Sequence, residues 1–182
     1  SKANVVGLHP MFGPTVSSLK SQTIIVCPVR VEEHLLHRLV AVFRNEGARC
    51  TMTTPEEHDR MMAVVQGLTH YVTLCMAESI RRLDVDIAAT QEFMSPVYQI
   101  ELALVGRLLA QDPDLYADIL QQNPFVPEVL EACRSSAGDL AKIVGSHDPE
   151  LFRAFFEKNS RHLGPSCSEG QTMTDTLIDC MV

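Results

Sequence analysis

The chain has 182 residues, which suits one domain or one and a small piece, and 46% of them are apolar, enough to build a core. Its formal charge of −8 argues against a general nucleic-acid binder, which would show a basic face, but leaves room for a local cationic pocket for an anionic small molecule. No apolar run approaches the ~20 residues of a membrane span, and the N-terminus has no basic-then-apolar signal layout, so the expectation is a cytoplasmic protein with no membrane partner.

The short apolar run Val5-Val6-Gly7-Leu8 leads into His9-Pro10-Met11-Phe12-Gly13-Pro14. Pro10 biases His9 toward extended backbone, and Gly13-Pro14 forces a turn. His9 is thus held on a stiff corner, a good mounting for a general base, although a histidine that merely caps a loop would look the same. Residues 5–8, 23–27 and 48–53 read as strands. Thr23-Ile24-Ile25-Val26-Cys27 does not alternate and is closed by Pro28, which predicts a strand buried on both faces. Between it and the third strand lies a helical pattern, Val31 to Arg44, with Leu35, Leu36, Leu39, Val40 and Phe43 as its apolar stripe. Gly47 suits the position just past its end. Strand, helix and strand with short links make a βαβ unit. Three strands and one helix are a poor domain by themselves, so residues 1–53 are expected to be the end of a larger α/β sheet. There is no Gly-x-Gly-x-x-Gly in the chain, and a nucleotide-binding half is expected upstream of Ser1.

From Thr54 the pattern becomes helical, giving an α+β, mainly α, fold class. Thr54-Pro55-Glu56-Glu57 is a capping box with proline at the first helical position. The helix it starts is expected to run unbroken to about Leu83, a rod of about 40–45 Å at ~1.5 Å per residue. Its apolar residues cover more than one face, which predicts burial in a bundle or against a second subunit. Further helices are expected at Asp86–Phe93, Val97–Ala110, Asp114–Gln122, Phe125–Val144 (bent near Pro127) and Glu150–Leu163, most of them opened by Ser-Pro or Asp-Pro. Residues 54–163 form this helical domain. Residues 164–182, rich in Gly, Ser and Thr, read as a tail with a short helix from Thr174 to Met181. Cys27, Cys50, Cys75, Cys133, Cys167 and Cys180 form no Cys-x-x-Cys pair, and reduced thiols are expected rather than disulfides or a zinc site.

A few polar residues stand out against this apolar background. Gln66 and His70 are one turn apart and need partners if buried, either as a hydrogen-bonded core pair or as the lining of a polar pocket. No carboxylate or thiol joins them at metal-ligand spacing. His58, near its helix start, reads on spacing alone as an exposed residue beside Asp59. Arg107 lies in a helix whose only other charge, Glu101, is on another face. It is either half of a buried ion pair with another helix or a fork for a ligand carboxylate. Gln111 and Asp112 close that helix and cap the next.

Four segments occur together and in order: Leu8-His9-Pro10-Met11-Phe12-Gly13-Pro14, Glu57-His58-Asp59, Gln66-Gly67-Leu68-Thr69-His70-Tyr71, and Glu101 to Pro113 with its Val105-Gly106-Arg107 core. Over residues 5–125 the chain resembles prephenate dehydrogenase, closest to the bacterial branch often fused to chorismate mutase and to archaeal relatives. The resemblance implies a Rossmann-type domain followed by an all-helical domain that forms a homodimer. It implies oxidation of prephenate with NAD or NADP, loss of CO2, and formation of 4-hydroxyphenylpyruvate on the route to tyrosine. It assigns proton acceptance from the ring hydroxyl to His9, a substrate carboxylate to Arg107, and substrate or tyrosine binding, with L-tyrosine as an inhibitor, to His70. His58 and Gln111 fall at further pocket positions. Two departures stand out. The dinucleotide motif is not in the chain, so the chain alone is not expected to turn over prephenate. Gln99 stands where close relatives have arginine, removing a second cationic contact. Three other readings remain beside this one: a non-catalytic tyrosine-binding regulatory module, a purely structural dimerisation domain, and a hydroxyacid-dehydrogenase relative, against which the Pro-Met-Phe-Gly context of His9 argues.

Overall fold

A computed structural model describes residues 3–181. They are α+β and mainly helical, as expected, and divide between Val65 and Gln66 into two compact units.

The first unit contains β1 (Val5–Pro10), β2 (Thr23–Arg30), α1 (Glu33–Asn45), β3 (Arg49–Met52) and α2 (Pro55–Met62). The sheet order is β1-β2-β3, with β1 antiparallel and β3 parallel to the central strand. Ile24 and Val26 of β2 lie on one face and are almost wholly enclosed. Val40 of α1 and Ala48 complete this core, with Leu36, Phe43, Val6 and Phe12 packed around it. Ile25, on the other face, is only half-buried, so the expected two-sided burial holds more fully on the α1 side. Gly47 ends α1 at φ +84°, and a Cβ there would come within 3.2 Å of Lys20 Cα.

Two strand limits differ from the sequence reading. β2 does not stop at Pro28 but continues to Arg30. β3 pairs only with Thr23–Val26, so at Pro28 the central strand is free of β3, and the register of β1 shifts between Val5 and Val6. A residue without an N–H is tolerated at such a place. β1 likewise runs past Leu8 and carries His9 into the ladder opposite Ile25.

The single regular helix expected from Thr54 to Leu83 is interrupted. Thr54 does cap α2, its hydroxyl accepting from Glu57 N–H at 3.2 Å. After Met62, however, Ala63–Leu68 is a π-helical segment, followed by α3 (Thr69–Arg82). A π turn takes in one extra residue and needs neither proline nor a charge, so an apolar pattern does not announce it.

The second unit continues with α4 (Ile87–Thr90) and a 3₁₀ turn, then α5 (Pro96–Leu109), α6 (Pro113–Gln121), α7 (Val126–Ser146), α8 (Pro149–Leu163) and α9 (Ser166–Asp179). Asp86, Ser95, Asp112 and Asp148 each accept a backbone N–H at a helix start, as their sequences predict. Pro127 lies in the first turn of α7, where it breaks no hydrogen bond, so no bend is needed there. α9 corrects the expectation of a tail with only a short helix from Thr174. Gly164, at φ +55°, separates it from α8. Inside α9 the hydroxyls of Thr172, Thr174 and Thr176 bond carbonyls one turn back, which satisfies a Ser/Thr-rich segment within a helix.

Among the described residues, α3, α6, α8 and α9 contain no fully buried side chain. Val105 and Leu108 of α5 and Val126 of α7 are the enclosed ones in this unit. All six cysteines are free thiols, Cys27 buried and Cys75, Cys167 and Cys180 exposed. No helix among the described residues is long and apolar enough to cross a membrane.

Candidate active site

In the strand unit, β1 and α2 bring two of the singled-out histidines together. His9 Nδ1 lies 2.8 Å from His58 Nε2, and the rings meet edge to face with centroids 5.1 Å apart. The other nitrogen of His58, Nδ1, lies 2.8 Å from Asp59 Oδ1. The position of His58 follows from the capping box, since its N–H bonds the Thr54 carbonyl at 2.9 Å as the first turn of α2 forms. The spacing-only reading of His58 as exposed is therefore corrected, for its side chain is 20% accessible. Burial, and secondarily the His58 ring, hold His9 below the ordinary imidazole value of 6.5. His9 is thus neutral near pH 7 and able to accept a proton.

The helical unit holds the other candidates. Arg107, in the last turn of α5, is exposed, and among the described residues its guanidinium has no carboxylate or hydrogen-bond partner. A structural ion pair is thereby excluded within the described residues, and the fork remains open to an anion. Gln111 folds back, its Nε2 donating to the Arg107 carbonyl at 3.0 Å. It caps the C-terminal turn that carries Arg107. His70, on α3, is half-buried, and burial lowers its pKa. Its ring meets Tyr116 of α6 edge to face, with centroids 4.8 Å apart and planes at 89°. No hydrogen bond joins His70 to Arg107 or Gln111 among the described residues. No three metal-ligating side chains converge there either.

A family model described as the dimerization domain of prephenate dehydrogenase matches residues 54–158, more than half of the chain. This chain belongs to the prephenate dehydrogenase family. A probable arogenate/prephenate dehydrogenase of Methanocaldococcus jannaschii is 32% identical over 176 residues, covering 96% of this chain and 40% of its own length. The T-protein of Enterobacter agglomerans is 34% identical over 160 residues, covering 88% and 43%. The chain thus spans less than half the length of these relatives. Among solved structures, the prephenate dehydrogenase from Aquifex aeolicus in complex with hydroxyphenyl propionate and NAD+ matches with a TM-score of 0.67 at 23% identity, covering 87% of this chain and 58% of that one. That likeness concerns the fold.

Sequence reasoning missed two members of these clusters. Spacing gives Asp59 only as a neighbour of His58, although a carboxylate next to a histidine near a helix start is a local signal for an oriented ring. Tyr116 left no signal, because its contact with His70 depends on how α3 and α6 pack.

Proposed function

We propose that this chain serves prephenate dehydrogenation, the oxidative decarboxylation of prephenate to 4-hydroxyphenylpyruvate with NAD(P)+. The observation that carries this reading is His9, kept neutral by burial and fixed by a 2.8 Å contact with His58. A neutral, immobilised imidazole suits acceptance of the ring-hydroxyl proton. Arg107 is proposed to bind a substrate carboxylate, with Gln111 bracing its turn. His70, backed by Tyr116, is proposed to contact substrate or L-tyrosine. The chain contains no Gly-x-Gly-x-x-Gly loop, so its own residues do not form the phosphate cradle that NAD(P)+ requires. The hydride acceptor is proposed to be held outside these residues.

A homodimer is part of the proposal. Phe152 and Phe156 of α8 are 47% and 65% exposed, and with Ile143 and Val144 of α7 they line an open apolar concavity. Apolar surface of this kind marks an association face. A second reading, a non-catalytic tyrosine-binding module, is favoured by the presence of Arg107, Gln111 and the His70–Tyr116 pair in the helical unit alone.

Calorimetric titration with 4-hydroxyphenylpyruvate and with L-tyrosine tests the binding role. Binding that disappears in Arg107→Ala supports it, and binding unchanged by that substitution removes Arg107 from the site. For catalysis, reduced nicotinamide is expected only when a nucleotide-binding domain is supplied with the chain. Its formation by the 182-residue chain alone would refute the proposed division of labour. Tight tyrosine binding with no activity restored under any pairing would favour the second reading.

A further inference from the structure

Behind His9 the strand unit builds a relay that a lone proton acceptor does not require. It runs from His9 Nδ1 to His58 Nε2 at 2.8 Å, and from His58 Nδ1 to Asp59 Oδ1 at 2.8 Å. The acidic end sets the direction of each bond. An ionised carboxylate has no proton to give, so His58 Nδ1–H donates to Asp59. A neutral imidazole carries one N–H, so His58 Nε2 accepts, and His9 Nδ1–H is its donor. The lone pair of His9 then lies on Nε2. Imidazole in water prefers the opposite tautomer, with its proton on Nε2, and a histidine in that form would offer the ring hydroxyl a donor where an acceptor is needed.

We propose that His58 and Asp59 are positioning residues that hold His9 as its Nδ1–H tautomer and so make Nε2 the proton-accepting nitrogen. His58 acts through His9 rather than on the substrate. This role rests on the reading of His9 as the proton acceptor, but the tautomer is a property of the folded chain and is measurable without substrate.

The surroundings suit the role. His58 is mostly enclosed, whereas Asp59 is 44% accessible, so the carboxylate at the end of the relay keeps contact with water and carries its charge at modest cost. Cys27 of β2 is another titratable group that feels Asp59. Burial, then the Asp59 charge, push its thiol upward, so it stays protonated and adds no second anion.

The test is long-range ¹H–¹⁵N correlation on the histidine-labelled 182-residue chain near neutral pH, which reports which ring nitrogen carries the proton. In the unmodified chain His9 and His58 are both expected as Nδ1–H tautomers. An asparagine amide in place of the Asp59 carboxylate can donate to His58 Nδ1 as well as accept from it, so Asp59→Asn is expected to populate the reversed tautomers of both rings. A glutamine carbonyl can still accept from His9, so His58→Gln is expected to keep His9 as Nδ1–H and to make it insensitive to Asp59→Asn. Finding His9 as Nε2–H in the unmodified chain would overturn the proposal, and that result needs no variant to fold. A His9 still held fully as Nδ1–H in a folded Asp59→Ala chain, which offers His58 neither donor nor acceptor, would overturn it as well. With a nucleotide-binding domain supplied, Asp59→Asn is expected to lower kcat by about 10²–10⁴-fold with little change in KM, and His58→Gln to retain more activity than His58→Ala. If turnover is never obtained but the tautomers behave as stated, the proposed reaction fails while the relay stands.

Discussion

The two units treat their polar residues in opposite ways. In the strand unit the candidate groups bond to one another: His9 meets His58, and His58 meets Asp59. In the helical unit Arg107 is left facing outward with no counter-charge among the described residues. The chemistry proposed for each explains the difference. A proton acceptor must be fixed in tautomer and direction before substrate arrives, and internal hydrogen bonds do that. An anion-binding fork must not spend its donors on the protein, or the ligand would have to displace them. The hydrophobic patterns differ as well. The strand unit closes a core around Ile24 and Val26, while among the described residues α3, α6, α8 and α9 of the other unit enclose no side chain fully, which leaves apolar faces exposed.

The largest effect is expected from removing the proposed proton acceptor. His9→Ala is expected to cost about 10²–10⁴-fold in kcat once a nucleotide-binding domain is supplied, with binding of 4-hydroxyphenylpyruvate retained. A parallel loss of binding would show that His9 is a binding residue and that the two units do not divide the work. Ile24→Ala tests the closed core and is expected to cost about 2–5 kcal/mol in denaturant unfolding. The helical unit's counterpart, Phe156→Asp, is expected to leave the chain folded and to abolish self-association in light scattering. A dimer that survives this change would place the interface elsewhere.

Arg107→Ala is expected to weaken 4-hydroxyphenylpyruvate binding by about 1.5–3 kcal/mol, the range for a hydrogen bond to a charged group. Its effect on unfolding should be small, because no partner is stranded. The pH dependence follows from His9 and His70, whose pKa values both lie below 6.5 in the folded chain. The unfolded chain then binds more protons just below pH 6.5, so the stability linked to these groups is complete above that value. It is lost as the pH falls toward the folded-state values. Melting temperatures across this window should fall on the acid side, and less so in His70→Gln. A melting temperature that is flat below pH 6.5 would contradict the burial of both rings. The smallest effect is expected for Thr54→Ala, about 1 kcal/mol from the lost cap, and it should disturb the His9 signals because Thr54 opens the turn that carries His58.

Much of this molecule is written locally. Thr54-Pro55, Ser95-Pro96, Asp112-Pro113 and Asp148-Pro149 set helix starts because a side-chain oxygen and a fixed φ act within one turn. The β2-α1-β3 unit, its stop at Gly47, and His9 at the end of a strand are legible for the same reason. So is Arg107, a cation without an intrahelical partner. Other features depend on residues far apart in sequence. His9 and His58 are 49 positions apart, and only the placement of α2 against β2 sets one ring on the other. Tyr116 reaches His70 only through helix packing, and the π-helical segment at Ala63–Leu68 has no breaker to mark it. Short-range hydrogen bonds and backbone preferences therefore determined the elements, while the orientation of the candidate base was decided by tertiary structure, because a histidine's tautomer is set by what meets its other nitrogen.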